Sequence, residues 1–305
     1  MEYLLLIVGI ILLVVGGDLL VKSAVGLANK LKVSPLLIGI TIVSFGTSAP
    51  ELIVSLKATL DGRSGIAIGN IIGSNVANIG LVLGLTVALR PVLVDRKKYF
   101  ASWLIMLVST LMFYGFSLDG EIGKYEGFFF IAGLLAFISI SISYMRKEDV
   151  EEEHNMILHP LLIFVFFNLG ILGLYIGSEL LIENASNIAL KMGVSEFIIG
   201  ATVVALGTSL PELATSLIAS LKGQNSISLG NLLGSNVFNI FAVLGITSIV
   251  KPIPVDLFLV YIDIPVMLGF VIVLFLFMFL GKRMGIIEGV ALLVAYFTYI
   301  TYSFL

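Results

Sequence analysis

The chain has 305 residues, of which 59% are hydrophobic and only 12% charged, with a net charge of -3; ordinary soluble domains carry roughly 25% charged residues. That leaves too little polar surface to cover a globule in water, and the weak, dispersed acidic balance excludes nucleic acid as a partner. With no cysteine, disulfides, thiolate metal sites and thiol nucleophiles are excluded as well.

Apolar segments fall at 3–28, 33–60, 65–89, 98–118, 124–145, 159–190, 194–221, 226–250, 255–281 and 284–304. Each holds about 20 or more residues, the length that crosses roughly 30 Å of hydrocarbon. They predict an all-α integral membrane protein with ten transmembrane helices. The first, beginning MEYLLLIVGIILLVVGG, lacks a basic leader and a small-residue cleavage site, so it reads as a retained helix. The second and seventh are interrupted by GTSAPE at 46–51 and GTSLPE at 207–212. Each therefore reads as a helix broken within the membrane, where non-helical backbone must face protein or a watery cavity. The one soluble stretch, RKEDVEEEHNMIL at 146–158, is a linker between 1–145 and 159–305.

Loop charge orients the chain. With the N-terminus outside, inner loops carry Lys30, Lys32, Arg90, Arg96, Lys97, Lys98, Arg146, Lys147, Lys222, Lys282 and Arg283, and outer loops only Arg63, Lys124, Lys191 and Lys251. This predicts a multi-pass protein of the cell membrane with both termini outside and 146–158 cytoplasmic.

Adding 161 to a residue number carries the first half onto the second, from Asp18/Glu179 through Glu51/Glu212 and Asn78/Asn239 to Asp95/Asp256. Between 46–58 and 207–219 nine of thirteen positions are identical, and between 69–79 and 230–240 eight of eleven. An odd number of spans per half makes the second copy enter the membrane from the opposite face, as in many secondary transporters. The expected architecture is thus two inverted five-helix repeats, with helices 2 and 7 broken.

Glu51 and Glu212 lie in the middle of otherwise apolar spans, where an ionised side chain costs at least about 2.5–3.5 kcal/mol. No Lys or Arg lies at matching depth except Lys22 and Lys57, which reach the interface from near their helix ends. Pro50 and Pro211 lack an amide hydrogen, freeing the carbonyls of Gly46 and Gly207 and loosening those around Ser44 and Ala205. Thr47, Ser48, Thr208 and Ser209 add hydroxyl oxygens. In the following spans, GNIIGSNVANI and GNLLGSNVFNI, Ser74 with Asn78 and Ser235 with Asn239 stand four apart on one helix face. Gly69 and Gly73 equally fit a small-residue packing seam. A donor set made only of hard oxygens suits calcium or sodium rather than zinc or copper. Two carboxylates are neutralised by one divalent cation or by two or more monovalent ones. Halves that rock only when neutralised exchange one cation type for the other.

GTSAPE with GSNVAN, repeated as GTSLPE with GSNVFN, resembles the two α-repeats of the sodium/calcium exchanger branch of the calcium/cation antiporter superfamily, across all ten spans. The resemblance implies ten helices in two inverted halves, with clustered cation sites. Calcium would lie between Glu51 and Glu212 with Thr47 and Thr208. Flanking sodium sites would use Ser48, Ser74, Ser209, Ser235 and the carbonyls of Ser44 and Ala205. It also implies that 3–28 and 159–190 slide against the core during access changes. Potassium-dependent relatives carry aspartate in place of Asn239, and proton-driven cousins usually replace both motifs, so Asn78 and Asn239 together argue for sodium without potassium. Calcium and sodium are cargo rather than cofactors. The lipid bilayer is the other partner, no protein partner is implied, and a monomer suffices.

Asp18 and Lys22 are spaced as an i,i+4 pair near an interface, although with Glu179 and Glu183 they equally fit an ion path. Asp263 reads as an interface residue, and His154 and His159 are too isolated for a zinc site. An intramembrane serine protease fails for want of a histidine at membrane depth. A passive cation channel is the rival outside the transporter class, and a proton- or potassium-coupled antiporter the rival within it.

Overall fold

The computed structural model describes residues 2–145, 158–193, 205–281 and 283–303. These residues are almost entirely helical. The first half comprises α1 (Glu2–Leu31), α2 (Pro35–Thr47), α3 (Ala49–Leu60), α4 (Ser64–Leu89), β1 (Val92–Leu93), α5 (Arg96–Ser117), β2 (Glu121–Ile122) and α6 (Lys124–Met145). The second comprises α7 (Pro160–Lys191), a turn at Ala205–Gly207, α8 (Leu210–Leu221), α9 (Asn225–Val250), β3 (Ile253–Pro254), α10 (Leu259–Leu280), β4 (Arg283–Met284) and α11 (Ile286–Ser303). Among the described residues, seven helices are long and apolar enough to cross a membrane, and α2 with α3 forms an eighth span bent by 41°. The helices α8 and α11 are apolar but shorter. Residues 194–204, the first part of the expected seventh span, lie outside the described residues, as does most of the 146–158 linker with His154.

Local chemistry accounts for the ends. Ser34 accepts the Leu37 amide at 3.2 Å, with Pro35 opening α2, and the Asp95 carboxylate accepts the Lys97 amide at 3.0 Å to start α5. His159, isolated in the sequence, caps α7 by accepting the Leu161 amide on Nδ1 at 3.3 Å. After α3 and α8 the chain turns through Gly62 at φ 77° and Gly223 at φ 81°, a left-handed conformation that glycine adopts without steric cost.

The motif-bearing helices form the centre. In α4 and α9, 78% and 83% of the most apolar window is buried, against 22–39% for the other long spans. Each widens into a π-helical turn that begins at the motif asparagine, Asn78–Leu83 and Asn239–Leu244. Gly230 of α9 packs on α2 so closely that a Cβ there would lie 2.9 Å from the Leu36 carbonyl oxygen. A Cβ at Gly69 or Gly73 would meet nothing outside its own helix within 4 Å among the described residues, which exclude 194–204, the repeat partners of 33–43.

Outside this centre, α1 and α7 lie backbone to backbone. A Cβ at Gly16 would meet the Leu174 amide at 2.8 Å, and one at Gly177 the Gly9 carbonyl at 2.8 Å. Small residues permit such contact where water supplies no driving force.

The halves are joined at both ends. β1 pairs antiparallel with β4, and β2 with β3. Arg90, at the end of α4, donates to the Leu221 carbonyl that ends α8. Its repeat partner Lys251 donates to the Leu60 carbonyl that ends α3, at 3.5 Å. Cations suit helix C-termini, where carbonyls lack intrahelical partners.

Candidate cation site

The two breaks bring the motifs together. Ser48 has φ -84° and ψ 3°, outside helical geometry, and Pro50 lies in the first turn of α3; Ser209 and Pro211 repeat this before α8. Glu51 and Glu212 therefore project from the first turns of α3 and α8, and both are fully buried. They lie near enough for the charge of Glu212 to act on Glu51.

Hydroxyls surround the carboxylates. Ser48 donates to Glu212 Oε1 at 3.4 Å, and Thr47 and Ser235 also stand against that carboxylate. Ser74 faces Glu51. The Thr47 and Ser235 hydroxyls are 3.3 Å apart, and those of Ser74 and Thr208 3.4 Å. Each contact joins the break of one half to the central helix of the other. Thr47, Ser48, Thr208, Ser209, Ser74, Ser235, Asn78 and Asn239 are all buried.

Among the described residues, many of these buried polar atoms have no hydrogen-bond partner. Both oxygens of Glu51, Oε2 of Glu212, the Ser209 hydroxyl and both amide atoms of Asn78 and Asn239 are in that state. Buried polar groups are nearly always paired because an unmade bond costs roughly 1–3 kcal/mol, and more for a charge. Such a concentration of oxygens around two carboxylates has the chemistry of a cation cradle. Among the described residues no group of three or more His, Cys, Asp or Glu forms a conventional metal cluster. The donor set is thus two carboxylates with neutral oxygens, suited to hard cations.

The backbone differs from expectation in two places. The carbonyl of Ser44 is not loosened: it accepts the Ser48 amide at 2.9 Å. In the second half the Ser209 amide bonds instead to the Leu206 carbonyl at 3.2 Å, so this amide leaves Ala205 aside. The Gly207 carbonyl, released by Pro211, is taken by the Ser178 hydroxyl of α7 at 2.8 Å. The repeat partner of Ser178 is Gly17, which has no hydroxyl, so the halves are unequal here.

Asn70 and Asn231, which sequence reasoning passed over, hold the site threonines. Thr208 donates to Asn70 Oδ1 at 3.2 Å and Thr47 to Asn231 Oδ1 at 3.0 Å. Both belong to the Gly-Asn pair that opens the central motif in each half, a signal that was present in the repeat.

A cavity of about 400 Å³ opens between the α2–α3 break and α7, lined in part by Gly46, Pro50, Asn168, Tyr175 and Pro211. Residues from both breaks therefore border one space beside the site. Asp18 does not join the site: it pairs with Lys22 at 2.8 Å, as its spacing suggests, and with Lys222 at the end of α8. Asp263 is buried and accepts a hydrogen bond from the Tyr299 hydroxyl at 2.8 Å.

The bent α2–α3 span, buried centre and oxygen-rich cradle define a polytopic helical membrane protein with chemistry suited to cations. The chain belongs to the sodium/calcium exchanger protein family, whose model matches residues 1–143 and 162–305. CaxA of Alkalimonas amylolytica is 38% identical over 304 residues, covering 96% of this chain and 95% of CaxA. The sodium/calcium exchanger MaX1 of Methanosarcina acetivorans is 32% identical over 345 residues, covering 99% of this chain and 98% of MaX1. Among solved structures, the sodium-calcium exchanger NCX_Mj soaked with zero Na+ and Ca2+ superimposes with a TM-score of 0.87 at 30% identity, covering 99% of this chain and 98% of that one.

Proposed function

We propose that this chain is a secondary active antiporter that exchanges calcium for sodium by alternating access. The observation that carries the reading is the pair of buried glutamates, one after each break, three of whose four carboxylate oxygens have no partner among the described residues, amid hydroxyl and amide oxygens. One calcium neutralises the pair, as do two or more sodium ions, and the charged, ion-free site is the costly state. A barrier to reorientation of the ion-free protein couples the two fluxes.

In this reading calcium lies between Glu51 and Glu212 with Thr47 and Thr208. Sodium sites flank it, using Ser48, Ser74, Ser209, Ser235, Asn78, Asn239 and the carbonyls of Ser44 and Ala205. The Ser44 carbonyl accepts the Ser48 amide at 2.9 Å and lies 3.4 Å from the Thr47 hydroxyl. Residues 1–145 and 159–305 are inverted five-helix repeats of a ten-helix fold, joined by a cytoplasmic 146–158, with both termini outside. Support comes from Arg90–Leu221 and Lys251–Leu60: each contact joins residues that loop charge assigns to one membrane face, and the two repeat-related contacts fall on opposite faces. A monomer holds the whole site.

Proteoliposomes loaded with sodium test this directly. Calcium should accumulate against its own gradient at the expense of the outward sodium gradient, and no longer do so when sodium is equal on both sides. Calcium entry down its own gradient without trans sodium would show a channel instead.

A further inference from the structure

Asn70 and Asn231 occupy equivalent positions in the two repeats, and each reaches into the opposite half. The Asn70 amide nitrogen donates to the Glu51 backbone carbonyl at 3.3 Å and to the Ser55 hydroxyl at 2.9 Å. A backbone carbonyl only accepts, so the amide is held with Oδ1 towards Thr208, whose hydroxyl donates to it at 3.2 Å. In the second half Asn231 donates to Ser216 at 3.0 Å, and its Oδ1 accepts from Thr47 at 3.0 Å. Ser216 is the repeat partner of Ser55. The same serine–asparagine–threonine chain is therefore built twice, across the interface between the halves.

We propose that Asn70 and Asn231 are positioning residues that take the hydroxyl proton of Thr208 and Thr47, so that each threonine oxygen presents lone pairs to the transported calcium. A hydroxyl has one proton and two acceptor lone pairs. If the proton faced the cation it would repel it, and if it turned to a glutamate it would occupy a carboxylate lone pair that the cation needs. The amide removes both alternatives, and for Thr47 it is the nearer acceptor, at 3.0 Å against 3.4 Å for the Ser44 carbonyl; behind Asn70 the Glu51 carbonyl, which only accepts, stops the amide from turning over. Metal-binding groups are commonly oriented in this way by hydrogen-bonded neighbours. Because each orienting amide lies in the opposite repeat, the threonine geometry depends on the two halves being docked.

This inference rests on the reading of Thr47 and Thr208 as calcium ligands, and the test separates the two. Full-length protein in proteoliposomes is assayed for the calcium dependence of sodium-driven uptake in Asn231→Ala, Thr47→Val and the double variant. Asn231→Ala is expected to raise the half-saturating calcium about 10-fold, with the change falling on that constant rather than on the maximal rate. In the Thr47→Val background it should add nothing, because the two residues act as one unit. An equal further loss in that background would make Asn231 a scaffold residue and overturn the proposal. No effect of Thr47→Val alone would instead remove threonine from the calcium site. Should Asn231→Ala fail to fold, Ser216→Ala, which removes the partner of the Asn231 amide nitrogen, should give a smaller shift of the same sign that also vanishes with Thr47→Val. An unchanged half-saturating calcium in Ser216→Ala would then overturn the relay.

Discussion

Glu51 and Glu212 are held in a conflict that only a cation resolves: both are fully buried, and three of their four carboxylate oxygens lack a partner. Substituting glutamine at either position removes half of the charge that balances calcium, so sodium-driven calcium uptake should fall by more than about 100-fold, beyond the usual effect of an orienting neighbour. The same change relieves an uncompensated buried charge. The ion-free variants should therefore melt no lower than the parent in detergent; folded variants exchanging at the parental rate would refute the two-carboxylate site. Asn78 and Asn239 supply neutral oxygens where a third carboxylate would call for another monovalent cation, so replacing potassium by choline should leave the flux unchanged. A large drop would assign the chain to potassium coupling. The glutamates and hydroxyls were legible in the sequence because an intramembrane charge and a duplicated motif are one-dimensional signals. The roles of Asn70 and Asn231 were not, because their partners lie in the other half and spacing along one helix carries no information about them.

Among the elements, the long helices α1 and α7 meet through backbone, as α2 with α9 and α4 with α11 also do. A valine at Gly16 would press Cβ against the Leu174 amide, which a Cβ approaches to 2.8 Å, with backbone of Gly170 and Gly173 beside it. Overpacking of this kind costs roughly 1–3 kcal/mol, so Gly16→Val should lower the melting temperature and slow exchange. None of the proposed cation ligands lies on α1 or α7, so calcium affinity measured by titration should not change; a loss of affinity without a loss of rate would show that this contact shapes the site instead of serving movement. Hydrophobic length alone located the helices whose two ends are described to within about four residues, and the α2–α3 break was legible from Pro50. The π-helical turns at Asn78 and Asn239 were not, since nothing in NIGLVL or NIFAVL distinguishes a wide turn from an ordinary one. The small strands escaped notice because two-residue pairings have no periodicity to detect.

At the scale of the molecule the two halves interlock, the threonine hydroxyl of each donating to the asparagine amide oxygen of the other and Ser48 donating to Glu212. In the proposed reading one cradle serves both cations, and protons would compete for it on the same oxygens. Any proton held by the Glu51–Glu212 pair must leave before calcium is fully coordinated, so calcium binding releases protons and acid opposes binding. The sign follows: the half-saturating calcium should rise as pH falls, and saturating calcium should restore the uptake that acid removes. Glu148, Asp149, Glu151, Glu152, Glu153 and His154, in the segment between the halves, offer a second place for acid to act. Neutralising these six residues together distinguishes the two. If protons compete at the cradle, the pH dependence of half-saturating calcium survives in that variant with its direction unchanged. If exchange persists but the pH dependence disappears, protons act through the connecting segment and competition at the glutamates is refuted.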